Sequence, residues 1–215
     1  MTLKLRFTRH ATLAATLCAA LLGTACAPLL IGGAMLGGTL LATDRRTSGT
    51  QLEDEGIELK AAARVRQQLG DRVHVNINSY NRLALITGEA KTEEDRAALT
   101  AIVTGVKNVS HVLNETAVTM PSSLANRSND VLIATKVKAS LVEARDLVSN
   151  AFYIVVERGD VFIMGRVSER EAKRASDIAR GVSGVKKVVR AVDVISEDEL
   201  ARLTPSQVPS QVPAK

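Results

Sequence analysis

Two kinds of hydrophobic spacing alternate along this chain. Apolar positions two apart, at Val73, Val75 and Ile77, predict a strand over 73–79, and Leu83–Thr87 predicts a second strand after the Asn81-Arg82 step. Before them, helical spacing runs from Ile57 to Leu69. After them, Thr92 and Asp95 have the spacing of a helix cap, and the helix they open runs to Thr104, where Gly105 stops it. A further alternating run, His111–Val118, closes the unit. The order is therefore helix, strand, strand, helix, strand.

The same order is then repeated. VFIMGRVSEREAKRA, beginning at Val161, restates LALITGEAKTEEDRA, beginning at Leu83, with Gly165 standing for Gly88 and Ser168/Glu171 for Thr92/Asp95. GVSGV at Gly181 matches GVKNV at Gly105, and Lys187–Val194 matches His111–Val118. Upstream, Ala61–Leu69 aligns with Ile133–Leu141, pairing Val65 with Val137 and Leu69 with Leu141. The period is about 76 residues, long enough for each copy to be a small domain. A three-stranded sheet leaves apolar side chains exposed unless helices lie across it, so the fold class expected is α+β: two tandem αββαβ sandwiches, each a three-stranded sheet covered by two helices.

The ends of the chain follow different rules. Lys4, Arg6 and Arg9 precede an apolar run, Ala11–Leu22, with the form of an export signal and too short for an ordinary membrane span. The run ends in LLGTAC, which resembles a bacterial lipobox, although Gly23 stands where leucine is usual and the leucine lies one place earlier. The resemblance implies cleavage before Cys26 and lipidation of that cysteine, which would then be the mature chain's sole cysteine. Ala27, in place of an aspartate, implies sorting to the outer membrane. The expected layout is 1–25 signal peptide, 26–51 lipidated start and flexible tether, 52–120 first domain, 121–128 linker, 129–196 second domain and 197–215 a disordered, proline-rich tail. Within the linker region, Ser128–Asp130 are the cap candidates for the next helix.

Composition narrows the chemistry. Without residues 1–25, basic residues outnumber acidic ones only 25 to 23, and the aromatics Tyr80, Phe152, Tyr153 and Phe162 are too few for a stacking platform, so no nucleic-acid partner is expected. The copies differ in charge: residues 52–118 hold 8 basic against 10 acidic residues, and residues 127–195 hold 13 against 9. His74 and His111 lie in strand-like runs without cysteine or carboxylate at ligand spacing, and no nucleophile elbow, phosphate loop or zinc-helix motif occurs. No metal, no cofactor and no catalytic residue is expected.

The αββαβ order, the ITGEA and IMGRV strand ends and the GVKNV and GVSGV turns resemble the BON domain, and the chain as a whole resembles the dual-BON outer-membrane lipoproteins. That resemblance implies a non-enzymatic protein facing the periplasm that interacts with phospholipid. It also implies the company of outer-membrane assembly factors and of the cell-division machinery. A protein-binding scaffold is the alternative reading.

The first helix of the second copy, Asp130–Ala144, is the expected membrane-reading element. Ile133, Val137 and Leu141 fall within about 80° of one another on a helical wheel and are assigned to the core. Leu132, Lys136, Ala139 and Glu143 form another stripe, flanked by Thr135 and Lys138. Leu132, Thr135, Lys136, Lys138 and Ala139 are the candidate lipid-binding residues, with phosphatidylglycerol or cardiolipin as the expected anionic ligand. The first copy, being net acidic, is expected to be structural or protein-binding.

Overall fold

A computed structural model describes residues 44–203. Cys26, the signal segment, the tether before Asp44 and the last twelve residues of the tail lie outside the described residues. The described chain contains α1 (Ser48–Leu69), β1 (Val73–Tyr80), β2 (Leu83–Ala90), α2 (Glu93–Thr104), β3 (His111–Asn114) and β4 (Ala117–Val118). It continues with α3 (Leu124–Glu143), β5 (Phe152–Glu157), β6 (Asp160–Ser168), α4 (Glu169–Arg180), β7 (Lys187–Ile195) and α5 (Glu197–Leu203). Two tandem αββαβ units of α+β class are present.

In each copy the central strand pairs antiparallel with the strand before it and parallel with the strand after it, in the orders β1-β2-β3 and β5-β6-β7. An antiparallel pair needs only a hairpin, and the two-residue turns Asn81-Arg82 and Arg158-Gly159 both adopt the positive φ values of that tight connection. The parallel pair needs a crossover, supplied by α2 and α4. The glycine shared by the two copies is explained by close approach. A Cβ on Gly88 would meet the carbonyl oxygen of His74, and one on Gly165 would meet that of Ala151, so the neighbouring backbone excludes any side chain.

Both crossover helices are capped as the Thr92 and Ser168 positions predict. Ser168 and Glu171 form a reciprocal capping box. Thr92 accepts the Asp95 amide at 3.2 Å, but the shorter Asp95 carboxylate is instead taken by Arg72 at 2.7 Å. In the first copy the closing strand is split. Asn114 accepts the Thr116 amide and donates to Arg96 O and Thr100 Oγ1, which turns the chain between β3 and β4.

Three boundaries differ from the sequence expectation. α1 starts at Ser48, capped by Thr47, so residues 44–51 are ordered rather than tether. α3 starts at Leu124, capped by Ser123, inside the stretch expected to be linker. Asp130 is therefore not a cap: it lies in the second turn's reach of the β5–β6 hairpin and accepts the amides of Arg158 and Gly159, both at 2.8 Å. Past β7, Glu197–Leu203 is helical with Leu200 buried, where a disordered tail was expected.

The alignment of the first helices also changes. Asp54 accepts the amides of Asn81 and Arg82, as Asp130 does for Arg158 and Gly159, so Asp54 is the counterpart of Asp130. Ile57, Ala61 and Val65 then correspond to Ile133, Val137 and Leu141. The alignment of Ala61 with Ile133 was displaced by one helical turn, an error that i, i+4 periodicity invites because each turn presents the same pattern.

Ile57, Ala61, Val65, Ala84, Ile86, Leu99 and Val103 form the core of the first copy, and Ile133, Val137, Leu141, Ile163, Val167, Ala172 and Ala175 are among those forming the second. A third cluster joins them. Tyr80, Leu85, Phe162, Met164 and Ala191 pack between the two sheets, on the faces that the helices leave bare. Alternating side chains of β2 and β6 thus serve two cores, and both strands are buried nearly throughout. The result is four layers: helices, sheet, sheet, helices. The described residues hold all three clusters within one compact unit.

Polar contacts surround this joint. Asn78 donates to Tyr153 Oη at 3.2 Å, Asn81 to Asp193 at 2.8 Å and Lys187 to Glu115 at 3.1 Å. Buried Glu89 accepts the amide and hydroxyl of Ser122 and lies 3.6 Å from Arg158. Ahead of α1, Arg45 crosses to the second copy and makes a two-pronged pair with Glu171 at 2.7 and 2.9 Å, while Arg46 lies 4.0 Å over the Tyr80 ring.

Candidate phospholipid-binding surface

The candidate surface is built on α3, whose buried stripe fixes which side faces out. Asp130, Ile133, Val137 and Leu141 point inward. On the outward side, four large apolar side chains are exposed: Leu124 at 79%, Val131 at 65%, Leu132 at 58% and Val142 at 67%. Leu124, Val131 and Val142 fall within about 20° of one another on the wheel, so they form one line along the helix. Thr135, Lys136, Lys138 and Ala139 are exposed around that line. The Thr135 hydroxyl is turned back to the Val131 carbonyl at 2.9 Å, which leaves its methyl as the outward group.

All five candidate residues of α3 therefore share the solvent side of the helix, and Cys26 lies outside the described residues. Leu132 is not an isolated leucine. Sequence reasoning missed Leu124 because it was placed in the linker, and missed Val131 and Val142 because the stripe was drawn through Leu132 rather than beside it. Their spacing of 7 and 11 residues was the signal that could have found them.

The corresponding line in the first copy has a different chemistry. With Asp54 set against Asp130, the places of Val131, Leu132, Lys138 and Val142 are taken by Glu55, Gly56, Ala62 and Arg66. Leu52 and Leu59 are exposed on α1, at 70% and 67%, but α1 belongs to the opposite outer layer of the sandwich.

Three groups with shifted acidity belong to the joint between the copies. Burial raises the Glu171 carboxyl, but the hydrogen bonds from Arg45 and from the Ser168 amide outweigh it and hold the pKa below the usual range. Burial, followed by the negative charge of Asp44, pushes the Tyr80 hydroxyl up to about 12. Glu157 is raised by burial and by the neighbouring carboxylates Glu89 and Asp130. These are features of a packed joint between the copies.

His74 Nδ1 lies 3.4 Å from Glu89 and His111 Nδ1 lies 3.2 Å from Ser110 Oγ. Among the described residues no three His, Cys, Asp or Glu side chains are grouped to hold a metal ion. Among the same residues no helix is long and apolar enough to cross a membrane.

Two hairpin-plus-crossover units with one plan define a tandem small-domain protein of the α+β class. The BON domain family model matches residues 58–120 and 129–196, and the chain belongs to the BON family. It is 35% identical over 167 residues to the outer membrane lipoprotein DolP of Haemophilus influenzae, an alignment covering 77% of this chain and 86% of that one. It is 28% identical over 154 residues to a 21 kDa hemolysin of Actinobacillus pleuropneumoniae, covering 71% and 79%. Among solved structures it aligns with CdsD, a structural protein of the type III secretion system of Chlamydia trachomatis, at 14% identity and a TM-score of 0.27, over 71% of this chain and 69% of that one.

Proposed function

We propose that this protein is a non-enzymatic, lipid-anchored protein of the outer membrane, facing the periplasm, whose second BON domain binds anionic phospholipid through the outward side of α3. The observation that carries the reading is the line Leu124, Val131 and Val142 with Leu132 beside it, exposed on the same side of α3 as Lys136 and Lys138. Neither lysine forms an ion pair within the described residues. Full burial of such a side chain contributes about 1.5–3 kcal/mol, and each cation near an anionic surface adds about 1 kcal/mol, so a few of each suffice for reversible adsorption. The lipobox-like LLGTAC and the similarity to an outer membrane lipoprotein support the anchor at Cys26. With the anchor holding the chain at the surface, a weak contact by α3 becomes an effectively intramolecular one. Phosphatidylglycerol and cardiolipin are the ligands that fit best.

Flotation with vesicles tests this, using the unit from Asp44 onward so that the anchor contributes nothing. Wild type should float with phosphatidylglycerol vesicles and not with phosphatidylcholine vesicles. The combination Leu132→Asp, Lys136→Glu and Lys138→Glu should abolish flotation while leaving the far-ultraviolet circular dichroism unchanged; flotation retained by that variant moves the site elsewhere.

A second role is favoured by the other outer layer. Leu52 and Leu59 on α1 face away from any bilayer that α3 touches, in a copy with net negative charge. That side suits a protein contact, with outer-membrane assembly or division proteins as the candidate company. Crosslinking in intact cells from Leu59 checks it, and recovery of self-crosslinks alone would leave lipid as the protein's one partner.

A further inference from the structure

One flank of the outward side of α3 descends into a groove of about 410 Å³ between α3 and the edge strand β5. Leu141, Phe152 and Ile154 form its apolar floor, and Val142 and Lys138 stand at its mouth, so it is continuous with the proposed membrane face. Asp44 also lines the groove, but its carboxylate is occupied by Arg46, through the backbone amide at 2.9 Å and the guanidinium at 2.8 Å. Burial opposes ionisation of Asp44, yet the Arg46 contacts prevail and keep its pKa low. The Lys138 ammonium has no such partner among the described residues, and it is the charge left to meet a ligand at the mouth.

The repeat supplies an internal comparison. The same groove recurs between α1 and β1, where Val65, Val75 and Ile77 replace Leu141, Phe152 and Ile154. There it measures about 210 Å³, and Ala62 occupies the place of Lys138. Small-molecule sites usually measure about 300–1,000 Å³, so the second copy's groove falls within that range and the first copy's below it. The enlargement and the lysine occur together, in the copy whose helix is also the more apolar outside.

We infer that the α3–β5 groove receives one acyl chain of an anionic glycerophospholipid, with Lys138 on its phosphate. The inference rests on the reading of α3 as the membrane face. The occupant is a lipid of the bilayer on which α3 lies: the floor offers carbon to an alkyl chain, and Lys138, the lysine among the described residues lining the groove, is placed where the chain meets its headgroup. Adsorbed by its outer line, the helix would hold one lipid drawn sideways from the leaflet.

Monomeric dihexanoyl-phosphatidylglycerol, titrated into the isotope-labelled unit from Asp44 onward below its micelle concentration, is the direct probe, with dihexanoyl-phosphatidylcholine as the neutral control. Saturating amide shifts at Phe152 and Ile154, stronger for the anionic lipid, are expected. Ile154→Trp, which fills the floor, should weaken this binding about tenfold or more, and Ser149→Trp, which closes the mouth from outside the core, should do the same if Ile154→Trp fails to fold. Shifts confined to Val131 and Leu132, with Ser149→Trp binding the monomeric lipid as wild type does, overturn the groove but leave the helix face standing. Wild type that neither shifts nor floats with anionic vesicles overturns both.

Discussion

Asp54 and Asp130 hold the two copies of the fold to one design: each reaches from the first helix of its copy to two consecutive hairpin amides at 2.8 Å. A buried carboxylate that accepts several donors fixes both the hairpin and the pitch of the helix above it. Asp54 carries more, since it also accepts the Ser79 hydroxyl at 2.7 Å and pairs with Arg46 at 2.8 Å. Asp130→Ala should cost about 1.5–3 kcal/mol, the range for a hydrogen bond to a charged group. Asp54→Ala should cost more than that, because it also takes the acceptor from the Ser79 hydroxyl and removes one of the two carboxylates, Asp44 and Asp54, that pair with Arg46. Urea unfolding of the two variants checks the order.

Arg45 and Glu171 make the second prediction. Their side chains are 5% and 4% exposed and join the segment before α1 to the start of α4. Arg45→Met should destabilise by about 3–5 kcal/mol at neutral pH, since it strands a buried carboxylate. The sign with pH follows from the lowered Glu171 pKa. The pair's contribution is fully present above the ordinary carboxylate range and is lost as the pH falls through the depressed folded value. The difference in stability between wild type and Arg45→Met should therefore shrink on acidification, as thermal melts at a series of pH values would show.

Glu157 has the opposite sign. Its pKa is raised by burial and by the charges of Glu89 and Asp130, so the neutral form is the one the fold prefers. The contribution is present below the ordinary carboxylate range and is lost as the pH rises through the folded value. Glu157→Gln should raise the melting temperature at pH 7 and have little effect in acid; a lower melting temperature at pH 7 would contradict this assignment.

The cluster between the sheets yields a prediction about shape. Met164 is fully buried there but belongs to neither copy's own core. Met164→Asp should part the copies without melting them, seen as a larger radius of gyration by X-ray scattering with amide protection retained around Leu99 and Ala175. The same cluster affects how the copies are compared. Expressed separately, each would bare Leu85 or Phe162, and that newly exposed surface would itself bind lipid, so point changes in the intact unit are the cleaner comparison.

The element order and the repeat were legible because they are written in local signals: alternation at Val73, Val75 and Ile77, the matched glycines Gly88 and Gly165, the caps Thr92 and Ser168. The outward position of Leu132 and the inward one of Ile133 were legible for the same reason. The joint between the copies was not. Leu85 and Phe162 read as the second face of a strand, and only tertiary structure shows that each meets the other copy rather than water. Arg45 was read as tether because its partner lies 126 residues away, beyond any periodicity. The one-turn slip at Ala61 and Ile133 came from a pattern that is locally correct at every turn, and Asp54 and Asp130 resolve it through hydrogen bonds that sequence does not display.

If the second copy reads the membrane with the outward side of α3 while the first copy's helical layer faces away, the two helices sit at different depths at the bilayer. Spin labels at Leu132→Cys and Leu59→Cys, placed singly in the cysteine-free unit from Asp44 onward, can be exposed to a water-soluble relaxation agent on phosphatidylglycerol vesicles. The label at position 132 should become shielded from the agent as vesicles are added, and the label at 59 should stay accessible throughout. Equal shielding at both sites, or continued access at position 132 in the vesicle-bound protein, would contradict the account.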